Sequence, residues 1–310
     1  MKVTVIITCF NEGAKLKRAM ESLASQTDQD FETLIVKDYS EHYETVEICK
    51  NFEAQEGVRV IWLPENLGPA AARNAGYQAM VGEICIPLDG DDELPTETVF
   101  EVKSAFAQND GVGYLFGDYE IIHDNGKYEH VNCSVVCNDN RQMNYRACLS
   151  EWIMLGMSPC RKSTWKQVGG YDEGLVISQR EDVDFWTRVF GKEIQGVYVN
   201  RIIYRWNRSE SGRNALSRKQ AVDNLTLLER NIQVYDKFGL GIDVRMRLIK
   251  GFLLNKEACR TKIHAKWLFR HNVFNFMTFI VLMLPSNFAS FVYSVCLALR
   301  RRLTKLWCRY

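Results

Sequence analysis

The sequence predicts an α/β protein built on a mostly parallel central sheet, and three observations support this fold class. The run Val3–Cys9 and its later counterparts are apolar and largely β-branched, which is typical of strands that helices cover on both faces. Each run is followed by a segment whose apolar residues recur at helical spacing. The two patterns alternate through residues 1–107, which predicts parallel strands joined by right-handed crossovers.

The individual elements follow from these patterns in chain order. Residues 3–9 form the first predicted strand, and the apolar side chains of residues 13–25 then lie on one helical face. The same reasoning predicts strands over residues 31–36, 58–63 and 83–88, and helices over residues 43–54, 70–80 and 96–107.

Beyond residue 107 the pattern changes. We expect two short strands over residues 112–116 and 120–122, closed by an Asp-Asn-Gly turn. From residue 150 short helices mix with polar loops, and long helical patterns return over residues 216–238 and 244–259. The length suits one α/β domain with a smaller appendage. We therefore divide the chain into a domain over 1–215, a helical extension over 216–272 and a C-terminal segment over 273–310.

The composition limits the classes of binding partner and the cellular compartment that we expect. The 39 Lys and Arg balance 38 Asp and Glu, and this net charge of +1 argues against a nucleic-acid partner. The ten cysteines form no regular framework, which indicates a reducing, cytoplasmic compartment. A zinc site at Cys133, Cys137, Cys148 and Cys160 is disfavoured, because their spacing contains no C-x2-C pair.

The C-terminal segment has a different character. No charged residue occurs over residues 273–299, and Arg300, Arg301, Arg302, Lys305 and Arg309 follow. A Pro-Ser-Asn break divides the apolar run into two pieces that are each too short to cross a membrane. We expect a helical hairpin or in-plane anchor on an anionic membrane, at the inner face of the plasma membrane. A buried helix pair or an oligomer interface is the alternative.

The candidate metal-binding carboxylates lie in residues 86–93, whose sequence is IPLDGDDE. A buried strand that ends in alternate carboxylates, Asp89 and Asp91, places hard oxygen ligands at the edge of the sheet where α/β folds bind ligands. That arrangement suits a divalent metal that holds a diphosphate. The alternative is an acidic turn that precedes the next helix.

Five ordered motifs resemble the family-2 glycosyltransferases of the GT-A fold. Residues 5–12 (VIITCFNE) are similar to the opening strand and turn of that family, and residues 66–76 (NLGPAAARNAG) match N-x-G-x-x-x-A-R-N-x-G. Residues 88–92 (LDGDD) match L-D-x-D-D, and 169–173 (GGYDE) and 181–188 (EDVDFWTR) resemble the later elements. The resemblance covers roughly residues 1–210. It implies the GT-A nucleotide-diphospho-sugar transferase fold with a C-terminal helical extension.

The first and second strands end side by side and are expected to form a slot for the nucleotide base from Phe10, Asn11, Glu12 and Asp38. The resemblance implies that Asp38 accepts a hydrogen bond from uracil. Residues 37–40 read KDYS where the family usually has D-D-G-S, which leaves the identity of the donor nucleotide open.

The third helix is expected to hold the donor diphosphate. Asn66 and Gly68 precede this helix, and Arg73 and Asn74 in it are expected to point a cation and amide donors at the phosphates. The alternative for Arg73 is an ordinary surface arginine on a helix.

The remaining roles come from the resemblance. It implies that Asp91 coordinates Mn²⁺ or Mg²⁺ and that Asp89 contacts the ribose or shares the metal, and we expect Asp92 as a secondary ligand. An inverting transfer also needs a carboxylate that takes the proton from the acceptor hydroxyl. We assign that role to Asp182, with Glu181 as second choice. The alternative is an acidic helix start that complements the helix dipole.

These observations predict an inverting, metal-dependent glycosyltransferase of the hexosyl type. It would move a sugar from a nucleoside-diphosphate donor, with UDP as first choice, to a glycan or lipid-linked acceptor in surface polysaccharide biosynthesis. A catalytically silent nucleotide-sugar-binding or membrane scaffold is the alternative. Two departures from the family support that alternative, Lys37 in the base slot and Asn207 at a position where the family has histidine.

Overall fold

The structure is a computed structural model that describes residues 1–151, 156–175, 180–208, 218–255 and 257–271. Contacts within the chain divide it into two compact units, Met1–Ala215 and Leu216–Tyr310. Each unit is described by itself.

The first unit is built on an eight-stranded mixed sheet. The strands are β1 Val3–Cys9, β2 Glu32–Lys37, β3 Val58–Trp62, β4 Ile84–Asp89, β5 Tyr114–His123, β6 Tyr128–Val131, β7 Cys160–Arg161 and β8 Gly196–Arg208. Their order is β3-β2-β1-β4-β7-β5-β6, and β8 pairs with β5. Strands β3, β2, β1 and β4 are parallel, β7 runs antiparallel to β4, and β8 runs parallel to β5. The predicted fold class is confirmed.

Helices cover this sheet on both faces. They are α1 Ala14–Ala24, α2 Tyr43–Glu53, α3 Gly68–Ala79, α4 Thr98–Gln108, α5 Tyr145–Glu151, α6 Lys162–Val168 and α7 Glu181–Gly191, with a short 3-10 helix at Cys133–Val136. Val5 and Ile7 of β1 are fully buried in a cluster with Leu16 of α1 and Phe106 of α4. Ile6 points to the other face, against α3. The apolar run of β1 therefore reflects burial on both sides.

The parallel strands bring the chemical motifs to one edge. In the sheet register Thr8 of β1 lies opposite Val36 of β2 and Asp89 of β4, and Cys9 lies opposite Lys37. The turns that follow β1, β2 and β4 are therefore neighbours, as the predicted base slot and D-x-D turn require.

Two expectations about the second half of the first unit were wrong. Residues 112–116 and 120–122 do not form separate strands, because β5 runs unbroken over Tyr114–His123. The polar stretch near residue 200 is the 13-residue strand β8, which pairs with β5 from Tyr114 to His123 with register shifts near Asp118. Its polar and charged residues lie on a half-covered strand, so the sequence lacks an apolar run there.

The described part of the second unit is helical. Helices α8 Arg218–Arg230 and α9 Ile232–Lys237 replace the single helix expected over 216–238, and α10 Gly241–Leu254 and α11 Ala258–Arg270 follow. The expected anchor over residues 273–310 lies outside the described residues. Among the residues that are described, no helix is long and apolar enough to cross a membrane.

We predict that Gly76→Ala lowers the free energy of unfolding by about 1–2 kcal/mol, because α3 lies directly on the sheet at this glycine. A Cβ at Gly76 would come within 2.5 Å of the buried Ile6 side chain and 3.3 Å of Val36. That overlap outweighs the better helix propensity of alanine. Urea denaturation would measure the change. Gln78→Ala, at an exposed position of the same helix, is the control and should stay within about 0.5 kcal/mol. Equal or greater stability of Gly76→Ala would contradict this packing.

Candidate active site

One cavity of about 690 Å³ opens at the carboxyl ends of β1, β2 and β4. It gathers the predicted site residues from distant parts of the first unit. Every one of them except Asn74 lines it: Phe10, Asn11, Glu12, Asp38, Asn66, Gly68, Arg73, Asp89, Asp91, Asp92, Glu181 and Asp182.

The turn after β1 is held by its own side chains. The carboxylate of Glu12 accepts the backbone N–H of Phe10, and the Ser40 hydroxyl donates to the Phe10 carbonyl at 2.7 Å. Burial, together with the nearby carboxylates of Asp91 and Asp89, raises the pKa of Glu12. Glu12 therefore fixes the shape of the turn that forms one wall of the expected base slot.

Asp38 joins the end of β2 to the start of α3. Its two carboxylate oxygens accept the backbone N–H groups of Leu67 and Gly68, each at 2.9 Å. Gly68 has a φ of +83°, a conformation that side chains disfavour. Asp38 thus satisfies two orphan donors at the helix start, in addition to its place in the cavity wall.

Lys37, which departs from the family pattern, is buried beneath this slot. Its ammonium donates to the Asp38 carbonyl at 2.7 Å and to the Ser40 hydroxyl at 2.5 Å, and it lies 5.7 Å from the centre of the Phe10 ring. The lysine therefore supports the slot from below and does not line the cavity.

The D-x-D turn presents its two aspartates differently. Asp89 accepts from the Thr8 hydroxyl and from Arg73, both at 3.0 Å. The Asp91 side chain is 42% exposed, and the ammonium of Lys15 in α1 lies 3.9 Å from its Oδ2. Arg18, also in α1, donates to the Asp91 carbonyl at 2.7 Å. Helix α1 therefore braces this turn and leaves the Asp91 carboxylate facing the cavity.

Asp92 does not have the free carboxylate that we expected of a further metal ligand. It is buried, and its oxygens accept the Tyr204 hydroxyl at 2.5 Å and the Asn207 backbone N–H at 2.7 Å. Burial first, and then the charges of Asp89 and Asp91, raise the pKa of Asp92. Asp92 ties β8 to the D-x-D turn, so we assign it a positioning role.

Arg73 connects the D-x-D turn with helix α7. Its guanidinium is buried and contacts Asp89 on one side and Glu181 on the other. It also lies 5.6 Å from the centre of the Tyr171 ring. Glu181 is buried in this ion pair, which leaves its neighbour Asp182 as the carboxylate of the pair that is not engaged by Arg73.

Asp182 lies half-buried at the start of α7. Its Oδ1 accepts the backbone N–H of Val183 at 2.8 Å. Burial, with the negative charge of Glu181, raises the pKa of Asp182 to about 6 against the opposing charge of Arg73. A Cβ at Gly156 would come 2.7 Å from its Oδ2, so the chain passes close to this carboxylate. The result is a carboxylate that is ionised near neutral pH and still basic enough to accept a proton.

Asn74 corrects one prediction, since it does not face the cavity. Its amide donates to the Tyr171 carbonyl and to Glu173, and accepts from Trp165 and from the Tyr171 backbone. All of these partners belong to α6 and to the Gly-Gly-Tyr-Asp-Glu segment that follows it. Asn74 therefore fastens α3 to this segment, and Arg73 alone of the pair reaches the cavity.

Sequence reasoning missed several cavity residues. Lys15 is a cation on α1, and Tyr204, Trp206 and Arg208 come from β8, with the Arg208 guanidinium 5.6 Å from the centre of the Trp206 ring. Once β8 is known as a strand, the alternation of residues 204, 206 and 208 identifies them as one face. Trp186 packs in the core against Tyr114 and Phe185.

The family model described as glycosyl transferase family 2 matches residues 4–168, more than half of the chain. The chain belongs to glycosyl transferase family 2. The match ends before α7, so the assignment of Glu181 and Asp182 depends on the motif and the geometry.

Two curated proteins with similar sequences are also described as glycosyltransferases. An uncharacterized glycosyltransferase of Methanocaldococcus jannaschii is 27% identical over 225 residues, which cover 70% of this chain and 73% of that protein. Glycosyltransferase GlyA of Streptococcus pneumoniae is 26% identical over 220 residues, which cover 66% of this chain but 30% of GlyA. The matched region is therefore most of one relative and a minor part of the other.

Among solved structures, Staphylococcus aureus TarS 1–349 in complex with UDP-GlcNAc superposes with a TM-score of 0.62. The match covers 81% of each chain at 17% sequence identity. At this identity the likeness confirms the GT-A fold of the glycosyltransferase.

We predict that Asp182→Asn raises the free energy of unfolding at pH 8 by up to about 3 kcal/mol. A carboxyl whose pKa is about 6 in the folded protein and about 3.9 when unfolded loses stability as pH rises from about 4 to 6. The amide carries no such charge, so the gain should be present above pH 6 and disappear near pH 4. Thermal denaturation at both pH values would measure it, with exposed Asp139→Asn as the control. A gain of the same size at pH 4 would contradict the assigned pKa.

Proposed function

We propose that this glycosyltransferase transfers a hexosyl group, with inversion, from a nucleoside-diphosphate sugar to a hydroxyl group of a glycan or lipid-linked acceptor. One observation carries the proposal. A single cavity contains the partly exposed Asp91 and the carboxylate of Asp182, which Arg73 does not engage, and Arg73 joins the two sides through Asp89 and Glu181. A donor site and a base in one cavity are what such a transfer needs.

UDP is the nucleotide that we infer for the donor. Phe10 and Asp38 line the end of the cavity where β1 and β2 terminate, and an aromatic ring beside a carboxylate suits a base with an N–H donor. TarS, which shares the fold, was solved with UDP-GlcNAc. Lys15 and Arg73 supply positive charge for the diphosphate.

The site fits a divalent metal such as Mn²⁺ or Mg²⁺. Asp91 offers a partly exposed carboxylate in the cavity, and hard oxygen ligands are what these ions prefer. No group of three or more His, Cys, Asp or Glu side chains among the described residues could hold an ion by itself. Substrate phosphates would therefore complete the ligand set, as is common for Mg²⁺. When bound, the ion would offset negative charge on the departing nucleoside diphosphate.

The protein groups divide the chemistry between them. Asp182 takes the proton from the acceptor hydroxyl as this oxygen attacks the anomeric carbon and the bond to the diphosphate breaks. Arg73 compensates the charges of Asp89 and Glu181, so that Asp182 is the carboxylate whose proton affinity the site leaves high. A pKa of about 6 keeps this base ionised at neutral pH.

The C-terminal sequence supports our inference about the acceptor and the location. An uncharged run of 27 residues over 273–299, followed by five cations, suits attachment to an anionic membrane. An enzyme held there could reach an acceptor on a membrane lipid, as surface polysaccharide biosynthesis requires. We place the protein at the cytoplasmic face of the plasma membrane.

Calorimetry with nucleotides would test the donor site. We expect UDP to bind in the presence of Mn²⁺ and to bind at least tenfold more weakly with a chelator. Asp91→Ala should remove this metal dependence, because it deletes the exposed carboxylate of the D-x-D turn. Asp139→Asn should bind like the wild type. Failure of UDP, GDP, dTDP and CMP to bind a folded sample would reject the transferase site and favour the scaffold alternative.

We also predict that Asp182→Asn slows UDP release from a UDP-sugar by about 10²–10⁴-fold and changes the Kd for UDP by less than about threefold. The amide keeps the shape of the side chain but cannot take a proton. In the wild type, kcat/KM should fall about tenfold per pH unit below about 6, since the base is then protonated. Turnover of Asp182→Asn at the wild-type rate would exclude Asp182 as the base.

A further inference from the structure

The charge of this chain is divided unequally between its two units. Residues 1–215 contain 22 Lys and Arg against 33 Asp and Glu, a net charge of −11, and residues 216–310 contain 17 against 5, a net charge of +12. The total of +1 conceals this separation. The balanced composition therefore excludes less than we first inferred, because the second unit by itself attracts anions.

Helix α11 concentrates this charge in the described part of the second unit. It contains four cations and no acidic residue over Ala258–Arg270. Arg260 is paired with Glu229 and Glu257. Lys262, Lys266 and Arg270 form no ion pair within the described residues, and Lys266 and Arg270 are exposed.

Two large apolar side chains lie among these cations. Ile263 is 60% exposed and Phe269 is 54% exposed, so both present apolar surface between the cations of α11. The opposite side of the helix is buried, with Ala265 and Leu268 fully enclosed. We call the five residues Lys262, Ile263, Lys266, Phe269 and Arg270 the α11 outer face; their helical spacing places them on the side away from Ala265 and Leu268.

We propose that the α11 outer face docks on an anionic lipid bilayer. Cations beside exposed aromatic and aliphatic side chains are typical of helices that lie in the membrane interface. Phe269 and Ile263 would enter the boundary with the acyl chains, and the lysine and arginine head groups would remain at the lipid phosphates. In the sequence, the uncharged run over residues 273–299 begins three residues after the end of this helix.

A bilayer suits this face better than a nucleic acid does. A duplex offers phosphates to the cations but no continuous apolar layer for Ile263 and Phe269. The proposal extends the membrane attachment under the proposed function from residues 273–310 to a defined helix. It does not depend on the identity of the donor or on Asp182.

Cosedimentation of the full chain with vesicles would test the proposal. We expect binding to phosphatidylcholine vesicles that contain 30% phosphatidylglycerol, and much weaker binding to phosphatidylcholine alone. The variant Lys262→Ser/Lys266→Ser/Arg270→Ser should bind the anionic vesicles about 100-fold more weakly, at about fivefold for each lost cation. The matched control is Lys2→Ser/Lys166→Ser/Lys192→Ser, which removes three exposed cations from the first unit and should bind like the wild type.

The second variant, Ile263→Ser/Phe269→Ser, distinguishes insertion of apolar side chains into the bilayer from purely electrostatic binding. It should reduce the vesicle binding that persists in 0.5 M salt, where surface electrostatics are screened. All variants should keep the wild-type Kd for UDP, so a failure of the donor site would be detected independently.

Three results would overturn the proposal. Vesicle binding that neither variant weakens would assign attachment to residues 273–310 alone. Tighter binding of a duplex oligonucleotide than of anionic vesicles would identify a nucleic-acid surface. Salt-sensitive self-association of the chain, seen by analytical ultracentrifugation and lost in the triple cation variant, would identify a contact between the two oppositely charged units of different copies.

Discussion

The arrangement of the first unit depends on one buried cation, the guanidinium of Arg73. It lies between Asp89, at the end of β4, and Glu181, at the start of α7, which are 92 residues apart in the chain. Removing one member of such a buried network leaves the others without compensation, at a cost of about 3–5 kcal/mol. The same contacts distinguish the two neighbouring carboxylates at the start of α7. Glu181 is engaged by the arginine, and Asp182 is left with the raised pKa.

The sequence predicted the structure correctly where a strand or helix pattern is followed directly by a motif in a turn. The alternation of strands and helices predicted β1 to β4, and the short motifs after them predicted the residues of the cavity. The prediction that Asn74 points into the cavity was wrong for a geometric reason. Consecutive residues of a helix point about 100° apart, and Arg73 already occupies the cavity side. The environment of Asp92 and the strand β8 were not predicted, because the residues that contact them are distant in the sequence. Tyr204, whose hydroxyl donates to Asp92, is 112 residues away in the sequence, and no local sequence pattern predicts this contact.

Helix α3 shows how packing and chemistry share one element. Gly76 allows its backbone to approach Ile6, Asp38 caps its start, Arg73 faces the cavity, and Asn74 holds the segment after α6. Asp38 acts at the start of the helix, whereas Arg73 and Asn74 point about 100° apart around it. Backbone approach at Gly76, capping at Leu67 and Gly68, and the contacts of Arg73 and Asn74 thus place separate physical requirements on the motif over residues 66–76.

The bond between Tyr204 and Asp92 has an evolutionary consequence. Strand β8 provides Trp206 and Arg208 to the cavity, and the same strand is fastened through Tyr204 and Asn207 to the turn that carries Asp89 and Asp91. A substitution that shifts the backbone of β8 would also displace the turn that carries Asp89 and Asp91. Under the proposed function, changes in acceptor range and in donor affinity would therefore be coupled, and new specificities would arise more readily by exchanging side chains on β8 than by moving its backbone.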